Sequence, residues 1–304
     1  MSSPKKILIL GVSGQVGSEL QRSFADAGEL ICCDRRQADL SNPENLRRVV
    51  RDAAPDVILN AAAYTAVDRA ESDGDAAMAI NAHAPRILAE EARRCGALLI
   101  HYSTDYVFDG SKNGSWIEAD PTGPLNVYGA SKLAGEQAIA EVGGKYLILR
   151  TSWVYGPHGK NFLLTMLRLG AERDRLTIVD DQIGAPTSSI VIADATRVIV
   201  DRVLGAPEED WAGIYHMSCA GSTTWCGFAR EIFARGGSLL VRTPEVVPIA
   251  STDYPTPATR PRNSSLSNEK LATRFSVRLP TWETALESVL TKLRVDSSTD
   301  SRTS

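Results

Sequence analysis

No stretch of the 304-residue sequence approaches the roughly 18 consecutive apolar residues of a membrane-spanning helix. The opening, Met1 to Lys6, leads into only four apolar residues, Ile7 to Leu10, too few for a signal-peptide core, so a cytoplasmic setting is expected. Cysteine is scarce: Cys32, Cys33, Cys95, Cys219 and Cys226 form no Cys-x-x-Cys pair, which excludes a disulfide framework and the common zinc modules. His83, His101, His158 and His216 are scattered without ligand spacing, and no metal site is expected from them. A basic excess is missing too, with 33 Lys+Arg against 37 Asp+Glu, which argues against a nucleic-acid-binding surface. With 23 glycines and 15 prolines there is no low-complexity bias of a collagenous or extensively disordered chain.

What is present is a rhythm. Short apolar runs at 6–10, 30–33, 57–60, 98–102 and 146–151 alternate with helical patterns at 15–27, 43–54, 76–95 and 126–142. That alternation predicts βαβ units and a doubly wound α/β fold around a parallel sheet. After residue 152 the pattern loosens into Gly/Pro-rich loops, with helices expected near 160–171, 188–204, 224–235 and 280–294 and a strand at 213–217. The expected organisation is a dinucleotide-binding domain over 1–155 and a smaller C-terminal substrate-binding lobe mainly over 156–293. The helix at 188–204 is expected to pack back on the first domain, and a disordered Ser/Thr/Asp-rich tail is expected over 294–304.

The first apolar run enters Gly11-Val12-Ser13-Gly14-Gln15-Val16-Gly17 directly, and a helix follows. Glycines there permit a tight turn and close approach of a pyrophosphate to backbone N–H groups at the helix start. Asp34, about 20 residues on, suits a ribose 2′-hydroxyl, whereas the neighbouring Arg35 suits a 2′-phosphate, so NADH and NADPH both stay open. Asp39, Leu40 and the run Ala61-Ala62-Ala63 follow later connections and are expected to line the adenine side. Tyr128 and Lys132 lie four apart at the start of a helix, hence on one face, and a lysine cation favours ionisation of a neighbouring phenol. Thr104, at the end of an earlier strand, is placed to orient a reacting oxygen.

The glycine loop, Thr104, Tyr128 and Lys132 together resemble the extended short-chain dehydrogenase/reductases, a Rossmann-fold family. Four longer stretches, 103–110, 126–136, 150–156 and 181–187, are similar to the members that reduce the 4-keto group of a dTDP-sugar, and the likeness spans residues 5 to about 293. The resemblance implies reduction of dTDP-4-dehydro-L-rhamnose to dTDP-L-rhamnose, with hydride from the nicotinamide and a proton from Tyr128. It also implies cofactor contacts from Tyr64, Thr65, Tyr102, Tyr128 and Lys132, and a water-linked proton relay through Asn81. The substrate set it implies is Thr104, Asp105, Tyr106, Phe108, Tyr128, Trp153, Asn161, Phe162, Gln182, Arg260 and Arg262, the two arginines as partners of a diphosphate. Some members dimerise through carboxylate-bound Mg2+; no such cluster is evident in this sequence, and both Mg2+ and a homodimer stay open. Two other activities compete: an epimerase or dehydratase of the same family, and a dinucleotide-binding regulatory subunit without catalysis.

Overall fold

The structure, a computed structural model, describes residues 4–300. Strands β1 (Lys6–Leu10), β2 (Glu29–Cys33), β3 (Val57–Asn60), β4 (Leu98–Thr104) and β5 (Tyr146–Thr151) carry the N-terminal half. Between them run α1 (Gln15–Ser23), α2 (Pro43–Ala53), α3 (Val67–Ala70), α4 (Gly74–Met78), α5 (Ala84–Cys95) and α6 (Val127–Val142). A π-helical turn over Ala79–His83 joins α4 to α5, so the single helix expected there is one helical run with a widened middle. β4 runs two residues beyond its expected end because Ser103 and Thr104 pair with Arg150 and Thr151 of β5.

The second half contributes β6 (Val154–Tyr155), α7 (Phe162–Glu172), β7 (Arg175–Val179), β8 (Ile183–Gly184), β9 (Thr187–Ser188) and α8 (Ser189–Gly205). It continues with β10 (Gly213–His216), β11 (Thr223–Thr224), α9 (Trp225–Arg235), β12 (Glu245–Ile249), α10 (Glu269–Phe275) and α11 (Trp282–Asp300). The parallel pair β7 and β12 joins segments some seventy residues apart, a long-range pairing that local pattern does not reveal. α11 continues through Asp300, past the expected start of a disordered tail at 294. No glycine or proline interrupts it there, and Arg294 pairs with Glu287 one side and the Arg235 carbonyl on the other. Residues 301–304 of that tail lie outside the described residues.

The main sheet has the order β10-β5-β4-β3-β1-β2, parallel throughout. From β1 the chain moves outward to β2 and then crosses back to β3, so the winding reverses between β1 and β3, and a crevice opens at the strand carboxyl ends there. Strand periodicity sorts the core: Ile7 and Ile9 face a cluster with α1, α8 and α10, whereas Leu8 and Leu10 face one with α2, α5 and α6. A third cluster, around Tyr155, Leu163, Phe228, Trp282 and Leu286, forms the centre of the smaller lobe. Among the described residues no helix is long and apolar enough to cross a membrane.

Candidate active site

The crevice at the β1/β3 reversal widens into a cleft of about 880 Å3 bounded by both halves of the chain. At one end lies the glycine loop. Gly11 has φ +79°, and a Cβ on it would stand 2.7 Å from the Ala62 nitrogen, so only glycine lets β1 turn beneath β3. Gly17 is packed behind the loop, where a Cβ would fall 2.1 Å from the Gly11 carbonyl oxygen. The N-cap of α1 is Gly14, which has no side chain to cap the helix, and Gly14, Gln15 and Val16 line the cleft. Backbone N–H groups at an uncapped helix start suit an anion such as a pyrophosphate.

Arg35, Asp39, Leu40, Ala61, Ala62, Ala63, Tyr64 and Thr65 line the same cleft. Asp34 does not. Its carboxylate receives the backbone N–H groups of Arg36 and Gln37 and the Arg36 guanidinium, and these bonds, the last one first, hold it below the usual carboxylate range. The basic neighbour Arg35, rather than the acid, is therefore the side chain presented to the cleft.

At the other end the sheet brings Tyr102, Thr104, Asp105, Tyr106, Tyr128, Lys132 and Trp153 together. Asn126 caps α6 by accepting the Gly129 N–H at 2.8 Å, which sets the first turn from which Tyr128 and Lys132 project. Lys132 is buried, and its Nζ donates to the Tyr102 carbonyl at 2.6 Å. Thr104 donates its hydroxyl proton to Asp105 Oδ1 at 2.8 Å and also hydrogen-bonds Tyr128. With that proton given to the carboxylate, Thr104 meets the Tyr128 hydroxyl as an acceptor. Ser152 donates to the second Asp105 oxygen at 2.8 Å. Burial pushes Asp105 up to about 6, against the pull of these hydroxyls. Burial likewise pushes the Tyr128 phenol up to about 12, with the Asp105 charge adding to it. The expected depression of the Tyr128 pKa by Lys132 is thus not seen: desolvation outweighs other influences, and the phenol is held protonated.

Trp153 forms the far wall. Its φ of +45° is left-handed for a residue with a side chain, and its indole stacks on Trp225 with centroids 3.6 Å apart. A Cβ on Gly184 would stand 2.3 Å from that indole, so the glycine makes room for the strained tryptophan.

Several residues expected at the substrate surface stand behind it. Phe108 is fully buried, stacked on Trp116 at 4.5 Å and covered by the Arg150 guanidinium, because an apolar ring next to β4 finds a small core of its own there. Asn161 is the N-cap of α7, accepting the Leu164 N–H at 3.0 Å, and it reaches the cleft only through its bond to Gln15. Phe162 packs on Trp225 and Phe228, supporting the aromatic wall from behind. Gln182 is buried against Ser251 Oγ at 2.9 Å. Arg260 is held in a two-pronged pair with Asp68 at 2.8 and 3.0 Å, whereas Arg262 is exposed, its carbonyl accepting the Ile183 N–H. Asn81 bonds the Tyr64 backbone on both sides and Ser131, which leaves its amide committed away from Lys132. Trp225, Ile80, Val67 and Lys160 also line the cleft, with no motif in the sequence to mark them.

Comparison with known proteins follows this geometry closely. The family model described as RmlD substrate binding domain matches residues 5–295. The dTDP-4-dehydrorhamnose reductase of Burkholderia thailandensis is 52% identical over 290 residues, covering 92% of this chain and 96% of that one. That of Escherichia coli K12 is 46% identical, with 94% and 97% covered. Among solved structures, the dTDP-4-dehydrorhamnose reductase of Bacillus anthracis in complex with NADP superposes with a TM-score of 0.87 at 35% identity, covering 95% of this chain and 99% of that one. A Thermus thermophilus UDP-glucose 4-epimerase in complex with NAD shares the fold, with a TM-score of 0.74 at 22% identity.

Proposed function

The chain belongs to the RmlD substrate binding domain family, and from that membership we propose that it reduces the 4-keto group of dTDP-4-dehydro-L-rhamnose to give dTDP-L-rhamnose, with NADPH or NADH as reductant. The observation that carries this is convergence: Tyr128, Thr104 and Lys132 line the same cleft as the glycine loop. The residues fit a dinucleotide. Gly11, Gly14, Gln15 and Val16 would hold its pyrophosphate, Ala61 to Ala63 its adenine side, and Lys132 a ribose hydroxyl, while Arg35 favours a 2′-phosphate and hence NADPH.

When bound, the nicotinamide supplies the hydride that the carbonyl carbon takes up. As that carbon becomes tetrahedral, charge grows on the C4 oxygen, and Tyr128 donates its proton there. A phenol kept protonated by burial is suited to this acid role. Thr104, fixed by Asp105, holds the Tyr128 hydroxyl in place. Trp153 and Trp225 offer a flat apolar wall to the sugar. Arg260 could serve a diphosphate only if the diphosphate competed with Asp68 for it.

The test is a purified-protein assay with enzymatically generated dTDP-4-dehydro-L-rhamnose, comparing NADPH with NADH and identifying the sugar formed. Stoichiometric oxidation with dTDP-L-rhamnose as product is expected. Tyr128→Phe should lower kcat by about 10²- to 10⁴-fold while NADPH binding persists. Nucleotide bound but never oxidised would sink the reductase role and favour a partner-binding subunit; turnover without net oxidation would favour an epimerase.

A further inference from the structure

His101 is an almost fully enclosed imidazole beside the active-site lysine, and the mechanism above gives it no task. Strand register explains how it arrives there. β3 and β4 pair Asn60 with His101 directly, so the two side chains share one face of the sheet beneath α6.

Asn60 Oδ1 accepts the Ala62 N–H at 3.3 Å, which turns its NH2 toward His101 Nδ1, 3.0 Å away. Nδ1 is then an acceptor, and a neutral ring carries its one proton on Nε2. Nε2 lies 3.2 Å from Lys132 Nζ. An N–H so directed can donate to an uncharged amine but opposes an ammonium. The ring does stay neutral: burial, then the Lys132 charge, lowers its pKa well below the usual histidine value. The Tyr102 carbonyl anchors Nζ in either charge state, because an amine also has hydrogens to donate.

We propose that Asn60 and His101 are positioning residues which, by fixing the imidazole tautomer, control whether Lys132 holds its proton. The inference rests on Lys132 being the cofactor-binding lysine of the function proposed above. The surroundings are consistent with it. Burial brings Lys132 down to about 8, against Glu136 one turn along α6, which raises it. Glu136 is itself buried and neutralised by Arg150 of β5 through bonds of 2.7 and 2.9 Å. From its own helix Tyr128 also faces the site, and from β4 Tyr102 does. Glu71 and the Arg86–Glu141 pair meet α6 at its first and last turns. Asn81, expected to take part in a water-linked proton relay, is occupied by Tyr64 and Ser131, and the inner neighbour of Lys132 is His101.

The measurement is the pH dependence of NADPH affinity in the full chain, followed by nicotinamide fluorescence, with no sugar present. Affinity should weaken as Lys132 loses its proton, with a midpoint near about 8. His101→Phe removes the opposing N–H, and Asn60→Leu releases the tautomer; each should raise the midpoint by about one unit, a tenfold change in proton affinity. His101→Gln, which can return an amide N–H to the same place, should bring it back. An unmoved midpoint in either variant with a native circular dichroism spectrum overturns the proposal. Should both variants fail to fold, ring 15N NMR of the unmodified protein decides: a proton on Nε2 supports it and a proton on Nδ1 overturns it. Failure of the reductase role would look different, leaving this titration intact and the keto sugar unreduced.

Discussion

Asp105 is enclosed between the hydroxyls of Thr104 and Ser152, with burial raising it to about 6. Ionised, it takes the Thr104 proton and so makes Thr104 an acceptor for Tyr128; protonated, it no longer needs that bond and the Tyr128 hydroxyl loses its guide. The raised pKa puts the orienting form above about pH 6 and its loss below. kcat/KM should therefore fall on the acid side with a midpoint near about 6, and Asp105→Asn, which cannot ionise, should abolish that limb. A limb that survives the substitution would assign it to another group. At this scale the sequence was most legible where chemistry demands a residue type at a fixed spacing, as in Gly11 to Gly17 and Tyr128 with Lys132. It was least legible where a side chain is used by its neighbours. Phe108, Asn161 and Gln182 each sit in a stretch similar to the family's, yet packing, capping and a buried hydrogen bond engage them away from the cleft.

Helices α2 and α5 lie side by side on one face of the sheet, and Glu91 joins them. Its side chain, only 2% exposed, accepts from Arg51 at 2.6 Å, Arg94 at 2.7 Å and Arg47 at 3.2 Å. The Arg51 bond is the largest of the influences that hold it down at about 2. Because the folded pKa lies below the unfolded value of 4.5, the stabilisation is complete above about pH 4.5 and disappears as pH falls toward 2. Discounted for the half-exposed arginines, it is worth about 2 kcal/mol at neutral pH. Glu91→Gln should lower stability by about that amount in urea denaturation at pH 7, and the gap to the parent should close in acid. An equal gap at both pH values would show that the loss is of packing rather than charge. Elements like these were readable in advance because one face of each is apolar at regular spacing. β7 and β12 were not, since their partnership is decided by two distant segments meeting in the smaller lobe.

The two halves of the chain are less separate than a boundary at 155 suggests. β10 extends the main sheet beyond β5, pairing Gly213 to His216 with Leu147 to Arg150. α8 and α10 cover one of its faces, so that Ile7, Ile9, Leu147 and Leu149 share a single buried cluster with Ile192, Ile199, Tyr215 and Phe275. At the far end of the sequence Lys292 of α11 reaches back to Glu19 of α1 at 3.0 Å. A fragment of residues 1–155 would keep the nucleotide loop and α1 but lose β10, α8 and α10, uncovering the part of that apolar face which α8 and α10 cover and leaving β5 as an open edge. Burial of that face is the main term holding such a sheet together. The full chain should therefore melt in one cooperative transition, and the fragment should show no cooperative melt and should bind a hydrophobic dye. Two resolved transitions in the full chain, or a fragment that unfolds reversibly and binds NADPH, would instead mean that the N-terminal half carries its own complete core.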